Sequence, residues 1–416
     1  MSHHGCCSFV FQGGLCSKRR KTLTPILFNL GIIVITSVVI MYACDSFELA
    51  SKKLGETFPK GIRGATINAV GSSLPELFTS FFLLFLYHNK DGFSGGVATC
   101  AGSAIFNAVI IPALCIITVV FFGVRVNGKL EKIDAITLEK SGVMRDGAFF
   151  IFCCILLIFM LSSKVLYWWM GAVLVFIYTL YVMYIYAEFK RGRIEVDEDD
   201  DEDEEEIEDP PSTIGALLTL NFHWLLYRGK SISRGQAWVL LLLGVIFIAL
   251  PCHFLAEACI KLAEHTGIPV FFTAVILAAA ATSVPDTIIS IRDARGGDYD
   301  DAVSNAFGSN IFDITICLGL PLMLYGLIYG NVEVVGVAGA TGSSGGSAAV
   351  QELQIILFLI TVIVFAIFLI GRGLGKAKAV MLFSIYGLFI VYCVGRINKW
   401  PWLQSGIDFL RGVFQA

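Results

Sequence analysis

Two stretches of this chain repeat one polar pattern inside apolar sequence. The first is Gly71-Ser72-Ser73-Leu74-Pro75-Glu76, followed by Gly102-Ser103-Ala104-Ile105-Phe106-Asn107. The second is Ala281-Thr282-Ser283-Val284-Pro285-Asp286, followed by Gly308-Ser309-Asn310-Ile311-Phe312-Asp313. In each, two hydroxyls precede a carboxylate by three and four residues, a spacing that brings all of them to one helix face. The following segment adds Ser103 with Asn107, or Ser309 with Asp313, again four apart. These are hard oxygen donors, suited to calcium, sodium or potassium and poorly suited to zinc or copper. A carboxylate in hydrocarbon costs about 2.5 kcal/mol or more, so one retained there marks an ion or proton pathway. The prolines add oxygen ligands. Pro75 has no N–H for the Gly71 carbonyl and Pro285 none for Ala281, and a carbonyl freed at bilayer depth needs a partner, which a cation supplies. A plain proline kink, with Ser and Thr bonded back to their own helix, would account for one such frame. Two copies, each with an acid, point to a duplicated cation site.

The elements that must position these residues are membrane helices. The chain has 416 residues, is 56% hydrophobic and has a mean hydropathy of +0.76, which excludes a soluble domain with a large core. Ten spans are expected, over 25–44, 64–87, 95–123, 147–163, 165–187, 236–258, 268–290, 302–330, 353–371 and 379–395. The fold class is therefore an all-α polytopic membrane protein. The two polar frames fall on spans two and seven. Five spans is an odd number, so the second copy enters the membrane in the opposite direction, giving two inverted five-helix repeats with a site near the midplane. The expected organisation is a tail at 1–24, a first half at 25–187, an acidic loop at 188–235, a second half at 236–395 and an interfacial tail at 396–416, where Trp400, Trp402, Phe409 and Phe414 accompany Lys399 and Arg411.

Charge fixes the expected orientation. Twenty of the 30 basic residues lie on the side opposite the termini, so that side is cytoplasmic by the positive-inside rule, although Lys18–Lys21 argue against it locally. The termini are then extracytoplasmic and the acidic loop cytoplasmic. Residues 195–209 hold 13 of the 34 acidic residues, so the net charge of −4 describes this loop and not the membrane part. Such a run cannot bury apolar area and reads as a solvated linker; it lacks the glycine and ligand spacing of an EF-hand. Residues 331–350 read as a second flexible loop. No N-terminal secretory signal is evident. Most of the 12 cysteines lie within spans and behave as small apolar residues, and Cys6, Cys7 and Cys16 make no zinc spacing with His3 and His4. His253 and Glu257, four apart, read as a solvated pair near the end of span six, and Arg292, Asp293, Arg295, Asp298, Asp300 and Asp301 as a solvated loop.

The strings GSSLPELFTS with GSAIFN, and ATSVPDTIISI with AVSNAFGSNIFDI, resemble the alpha-repeats of the cation/calcium exchanger superfamily, and most of all the potassium-dependent sodium/calcium exchangers. The stretch Ala43-Cys44-Asp45-Ser46-Phe47 through Gly64-Ala65-Thr66 resembles the lead-in to their first repeat. The resemblance implies that Glu76 and Asp286 are the central calcium carboxylates. It implies that Ser72, Ser73, Ser103, Asn107, Thr282, Ser283 and Ser309 line calcium and sodium sites, and that the main-chain carbonyls of Ala69 and Ala279 are sodium ligands. It assigns Asp313, with Asn310, to potassium. Leu74 departs from the family, where Ala is common, and large regulatory domains are missing. The expected function is a secondary antiporter, not an enzyme: sodium is exchanged for calcium, with potassium carried alongside calcium and no cofactor. Its partners are inorganic cations and the lipid bilayer, with no nucleic acid, and a single chain suffices for the site. The plasma membrane is favoured and an endomembrane is the alternative. Proton-coupled or potassium-independent exchange is the neighbouring reading. An intramembrane aspartyl protease would need a Gly-x-Gly-Asp setting that Asp286 and Asp313 lack, and a channel would be a symmetric oligomer around a pore.

Overall fold

The computed structural model describes residues 11–54, 69–87, 90–126, 129–138, 140–163, 165–191, 212–333, 346–371, 373–403 and 405–406. The acidic run 195–209, the Gly64-Ala65-Thr66 lead-in, Cys6, Cys7 and most of the 331–350 loop lie outside these residues.

Nine helices among the described residues are long and apolar enough to cross a bilayer. In order they are Leu23–Ser51, Ala69–Leu86, Gly92–Phe122, Ser141–Leu161, Trp168–Glu188, Arg234–Thr266, Tyr299–Tyr329, Ala349–Leu369 and Lys376–Ile397. Between the sixth and seventh of these lies a bent pair, Val270–Thr282 and Val284–Gly296, angled by 41°. Whether that pair crosses or returns follows from two short backbone bridges. Ala135–Ile136 pairs antiparallel with Leu374–Gly375, and Val165–Leu166 with Val332–Glu333. Paired backbones lie on one side of a bilayer, so an even number of crossings must separate them. Six helices separate the first pair of strands and four the second, if the bent pair is a full crossing. If it were re-entrant, both counts would be odd. The bent pair is thus span seven, and the described residues hold ten spans.

Several spans extend beyond the limits expected from hydropathy, because charged residues at their ends are paired. Span four begins at Ser141 and not at 147: Arg145 bonds Asp146 at 2.6 Å, and Asp146, 1% exposed, also receives the Tyr181 and Ser304 hydroxyls at 3.1 and 2.9 Å. Span one runs to Ser51 and includes Asp45, which meets Arg292 at 3.1 Å. Span nine carries a matching buried acid, Glu352, held by Arg396 at 2.9 Å and the Tyr392 hydroxyl at 3.0 Å on span ten. Span six starts at a capping box, in which Ser233 and Gln236 satisfy each other's backbone N–H groups.

Spans two, three, seven and eight form the interior, while Phe28, Phe159, Phe176, Leu242 and Leu388 present large apolar side chains outward, as lipid-facing surfaces do. Span one packs along span six. A small second core, Ala50, Phe222, Ile232, Ala237 and Leu240, fixes the short helices before span six against the C-terminal end of span one. The nine membrane cysteines are buried and free.

Candidate cation site

Both broken spans interrupt their helix at the residue before the proline pair. Ser73 forms a turn between Ala69–Ser72 and Leu74–Tyr87, and Ser283 separates Ala279–Thr282 from Val284–Gly296. The single continuous helix face expected for Ser72, Ser73 and Glu76 is therefore interrupted at Ser73. The backbone stays linked across the break, with Ser73 N–H donating to Ala69 O and Ser283 N–H to Ala279 O, both at 3.1 Å. The carbonyls that proline frees are met by span one. The Ser37 hydroxyl donates to Ala281 O at 3.0 Å, and the Cys44 thiol faces Gly71 O at 3.9 Å. The carbonyls of Ala69 and Ala279 serve as helix acceptors and also receive the Ser72 and Thr282 hydroxyls at 3.4 and 3.2 Å.

The acids meet at the crossing of these breaks with spans three and eight. Glu76, Asp286 and Asp313 are each 0% exposed. Ser103 Oγ lies 3.0 Å from Glu76 Oε1, 2.9 Å from Asp313 Oδ2 and 2.9 Å from Ser283 Oγ. Ser283 Oγ also reaches Glu76 Oε1 at 3.4 Å. Asp286 receives Ser309 Oγ on one oxygen and Asn107 Nδ2 on the other, both at 2.9 Å. Asn107 Nδ2 in turn lies 3.3 Å from Ser103 Oγ. Glu76 and Asp286 thus each contact one group from their own half and one from the other.

The network has too few protons for its oxygens. Ser103 has one hydroxyl proton and three oxygen neighbours, two of them carboxylate oxygens. Glu76 Oε2, Ser73 Oγ, Asn107 Oδ1 and both amide atoms of Asn310 are buried without a hydrogen-bond partner. Buried polar atoms are ordinarily bonded, and a bundle of unpaired oxygens in the membrane interior fits a positive ion. Among the described residues, no three His, Cys, Asp or Glu side chains converge as one metal-holding group. The oxygen set here is mixed instead, with acids bridged by hydroxyls and amides, as weakly bound hard cations require.

Two features allow this convergence. Span three passes so close to span seven that a Cβ on Gly102 would sit 2.4 Å from Val275 O, within a π-helical turn at Ala274–Ala278. Span eight carries a second π turn, Asp313–Cys317, that begins at the third acid. Such turns widen a helix by one residue and recur at functional sites. Neither turn has a signal in single-residue spacing. Sequence reading also missed Ser37, which meets a freed carbonyl from another span, and Cys317, whose thiol lies 3.7 Å from Asp313 Oδ1 and 3.5 Å from Ser73 O. Glu257 is solvated and bonds Lys261 at 2.7 Å, and His253 packs edge-on to Phe82.

This assembly defines a polytopic transporter of inorganic cations. The chain belongs to the sodium/calcium exchanger protein family, whose sequence model matches residues 28–187 and 236–395. It is 26% identical to human sodium/potassium/calcium exchanger 5 over 384 residues, covering 75% of this chain and 73% of that one. A shorter match, 37% identical over 117 residues, joins it to sodium/potassium/calcium exchanger Nckx30C of Drosophila melanogaster, covering 27% of this chain and 13% of that one. Its fold is that of the sodium-calcium exchanger NCX_Mj (TM-score 0.52, 18% identity, 88% of this chain and 98% of that one) and of the H+/Ca2+ exchanger CAX (TM-score 0.53, 16% identity, 94% and 92%). The protein is thus an integral membrane cation/calcium exchanger and not an enzyme.

Proposed function

We propose that the chain exchanges sodium for calcium by alternating access, with potassium carried alongside calcium, at the buried site between its two halves. The observation that carries this is the reciprocal bonding of Glu76 and Asp286, in which each acid is completed by a group from the opposite half. Glu76 and Asp286 are read as the calcium carboxylates. Ser72, Ser73, Ser103, Asn107, Thr282, Ser283 and Ser309, with the carbonyls of Ala69 and Ala279, are read as calcium and sodium ligands, and Asp313 with Asn310 as the potassium position. Three ionised acids balance one calcium and one potassium, and sodium ions neutralise the same oxygens in turn. An empty cluster of acids is too costly to carry through hydrocarbon, so the two cation populations exchange without open conduction.

The two halves are read as inverted repeats. The bridges support this, because the loop after span three meets that after span nine, and the loop after span four meets that after span eight. These are the equivalent loops of the two halves, taken crosswise. The buried acid–tyrosine pairs Asp146–Tyr181 and Glu352–Tyr392 likewise fall on spans four and five and on spans nine and ten. The loop 188–235 is read as cytoplasmic and the termini as extracytoplasmic, with the plasma membrane as the favoured location. One observation favours proton coupling as a second reading: Glu76 Oε1 and Asp313 Oδ2 face the same hydroxyl, a place where one carboxylate would hold a proton. Calcium uptake into proteoliposomes, with sodium and potassium varied independently on each side, separates the readings. The sodium reading expects uptake driven by outward sodium and dependent on potassium on the calcium side. Uptake driven by a proton gradient in sodium-free medium would replace it with the second reading.

A further inference from the structure

Beyond the acids, each half places another polar pair one helical turn away. Ser80 follows Glu76 by four residues, and Ser290 follows Asp286 by four; Thr99 precedes Ser103 by four, and Asn305 precedes Ser309 by four. The spans run oppositely, so Ser80 lies toward one face of the bilayer and Ser290 toward the other. In the first half the hydroxyls close on backbone: Ser80 Oγ donates to Cys317 O at 2.7 Å and Thr99 Oγ1 to Gly95 O at 3.0 Å. The second half differs. Asn305 Nδ2 donates to Ser290 Oγ at 3.1 Å, and the amide oxygen Oδ1 has no partner although Asn305 is 1% exposed and Ser290 0%. A buried amide left half satisfied costs free energy, whichever way the amide is turned.

We propose that Ser290 and Asn305 form a passage site that takes the transported cation from Asp286 and Ser309 on its way to the face carrying the loop 292–301. The proposal rests on the exchange reading above and adds the route by which the site opens to that face. One helical turn, about 5.4 Å, separates this pair from the acid, within a single step for an ion changing ligands. Its oxygens are uncharged, so they replace part of a hydration shell without trapping the ion, as a conducting step requires. Span three closes the site through Cys115, whose thiol meets Ser290 O at 3.3 Å. Beyond Ser290 the same helix continues to Asp293, and exposed Asp298, Asp300 and Asp301 lie at the turn between spans seven and eight. The competing account is an interhelical bond that only fastens span seven to span eight.

Sided measurements on the full chain in vesicles of known orientation decide between the two. In Asn305→Ala, the KM for calcium at the face of the loop 292–301 should rise about fivefold, the cost of one neutral oxygen partner, with the opposite face unchanged. In Ser290→Cys on a Cys115→Ser background, a membrane-impermeant cationic thiosulfonate applied from the loop face should inactivate exchange, with calcium slowing the reaction and the Cys115→Ser parent unaffected. Equal KM changes at both faces, no KM change, or a cysteine reached only from the opposite face or from neither would overturn the proposal. Wild-type sodium-driven flux, measured in the same vesicles, tests the exchange reading separately. The Asn305→Ala arm decides if Ser290→Cys fails to insert.

Discussion

At the residue scale, the chemistry rests on sharing. Ser103 stands between Glu76, Asp313 and Ser283, so its loss removes a bridge from three oxygens at once. Ser103→Ala should raise the KM for calcium roughly tenfold, the cost of a bond to a charged group, while protein yield and insertion stay unchanged. Calcium flux against calcium concentration reads this directly, and an unaltered KM would remove Ser103 from the site. Asp313 is the discriminating acid. Asp313→Asn keeps an oxygen and drops a charge, so the flux that remains should no longer respond to potassium. A wild type that transports calcium equally well with choline in place of potassium would strike potassium from the mechanism. The residues of this network were legible in sequence because each polar frame occurs twice in apolar surroundings. Their partners across the molecule were not. That Ser37 bonds Ala281 O depends on how spans 244 residues apart meet, which no local spacing encodes.

At the element scale, the site depends on close packing between spans three and seven. A methyl at position 102 would lie 2.4 Å from Val275 O and 2.8 Å from the Ala279 side chain. Overpacking of this kind costs about 1–3 kcal/mol, so Gly102→Ala should lower the thermal midpoint in detergent and reduce calcium affinity together. An unchanged midpoint with full affinity would mean that the helices part freely there. The ends of span four obey different physics. Hydropathy stops at 147 because Arg145 and Asp146 look too costly to bury, yet their pairing with Tyr181 and Ser304 keeps both inside. Asp146→Ala leaves Arg145 without its carboxylate, a loss of about 3–5 kcal/mol for a buried pair, and should destabilise the detergent-solubilised protein more than Glu257→Ala, whose exposed pair is worth little. Apolar length and period reveal that a span exists, whereas its ends are set by tertiary partners that hydropathy does not see.

At the scale of the whole molecule, two backbone bridges make the count of crossings even between the segments they join, and so make the bent span seven a full crossing. The ten spans expected from apolar runs agree with this count among the described residues. The acidic run 195–209 lacks the glycine and ligand spacing of a cation site, so its deletion should preserve exchange in saturating ions; loss of all flux in a correctly inserted deletion would make the run part of the transport machinery. The central claim is that both halves supply one calcium site, through one carboxylate each. It is tested most directly by sodium-driven calcium flux in proteoliposomes containing wild type, Glu76→Gln or Asp286→Asn. Either amide keeps size and an oxygen but removes the charge that offsets calcium desolvation, so each single variant should lose calcium flux while remaining folded and inserted. Wild-type flux in either variant would contradict the account.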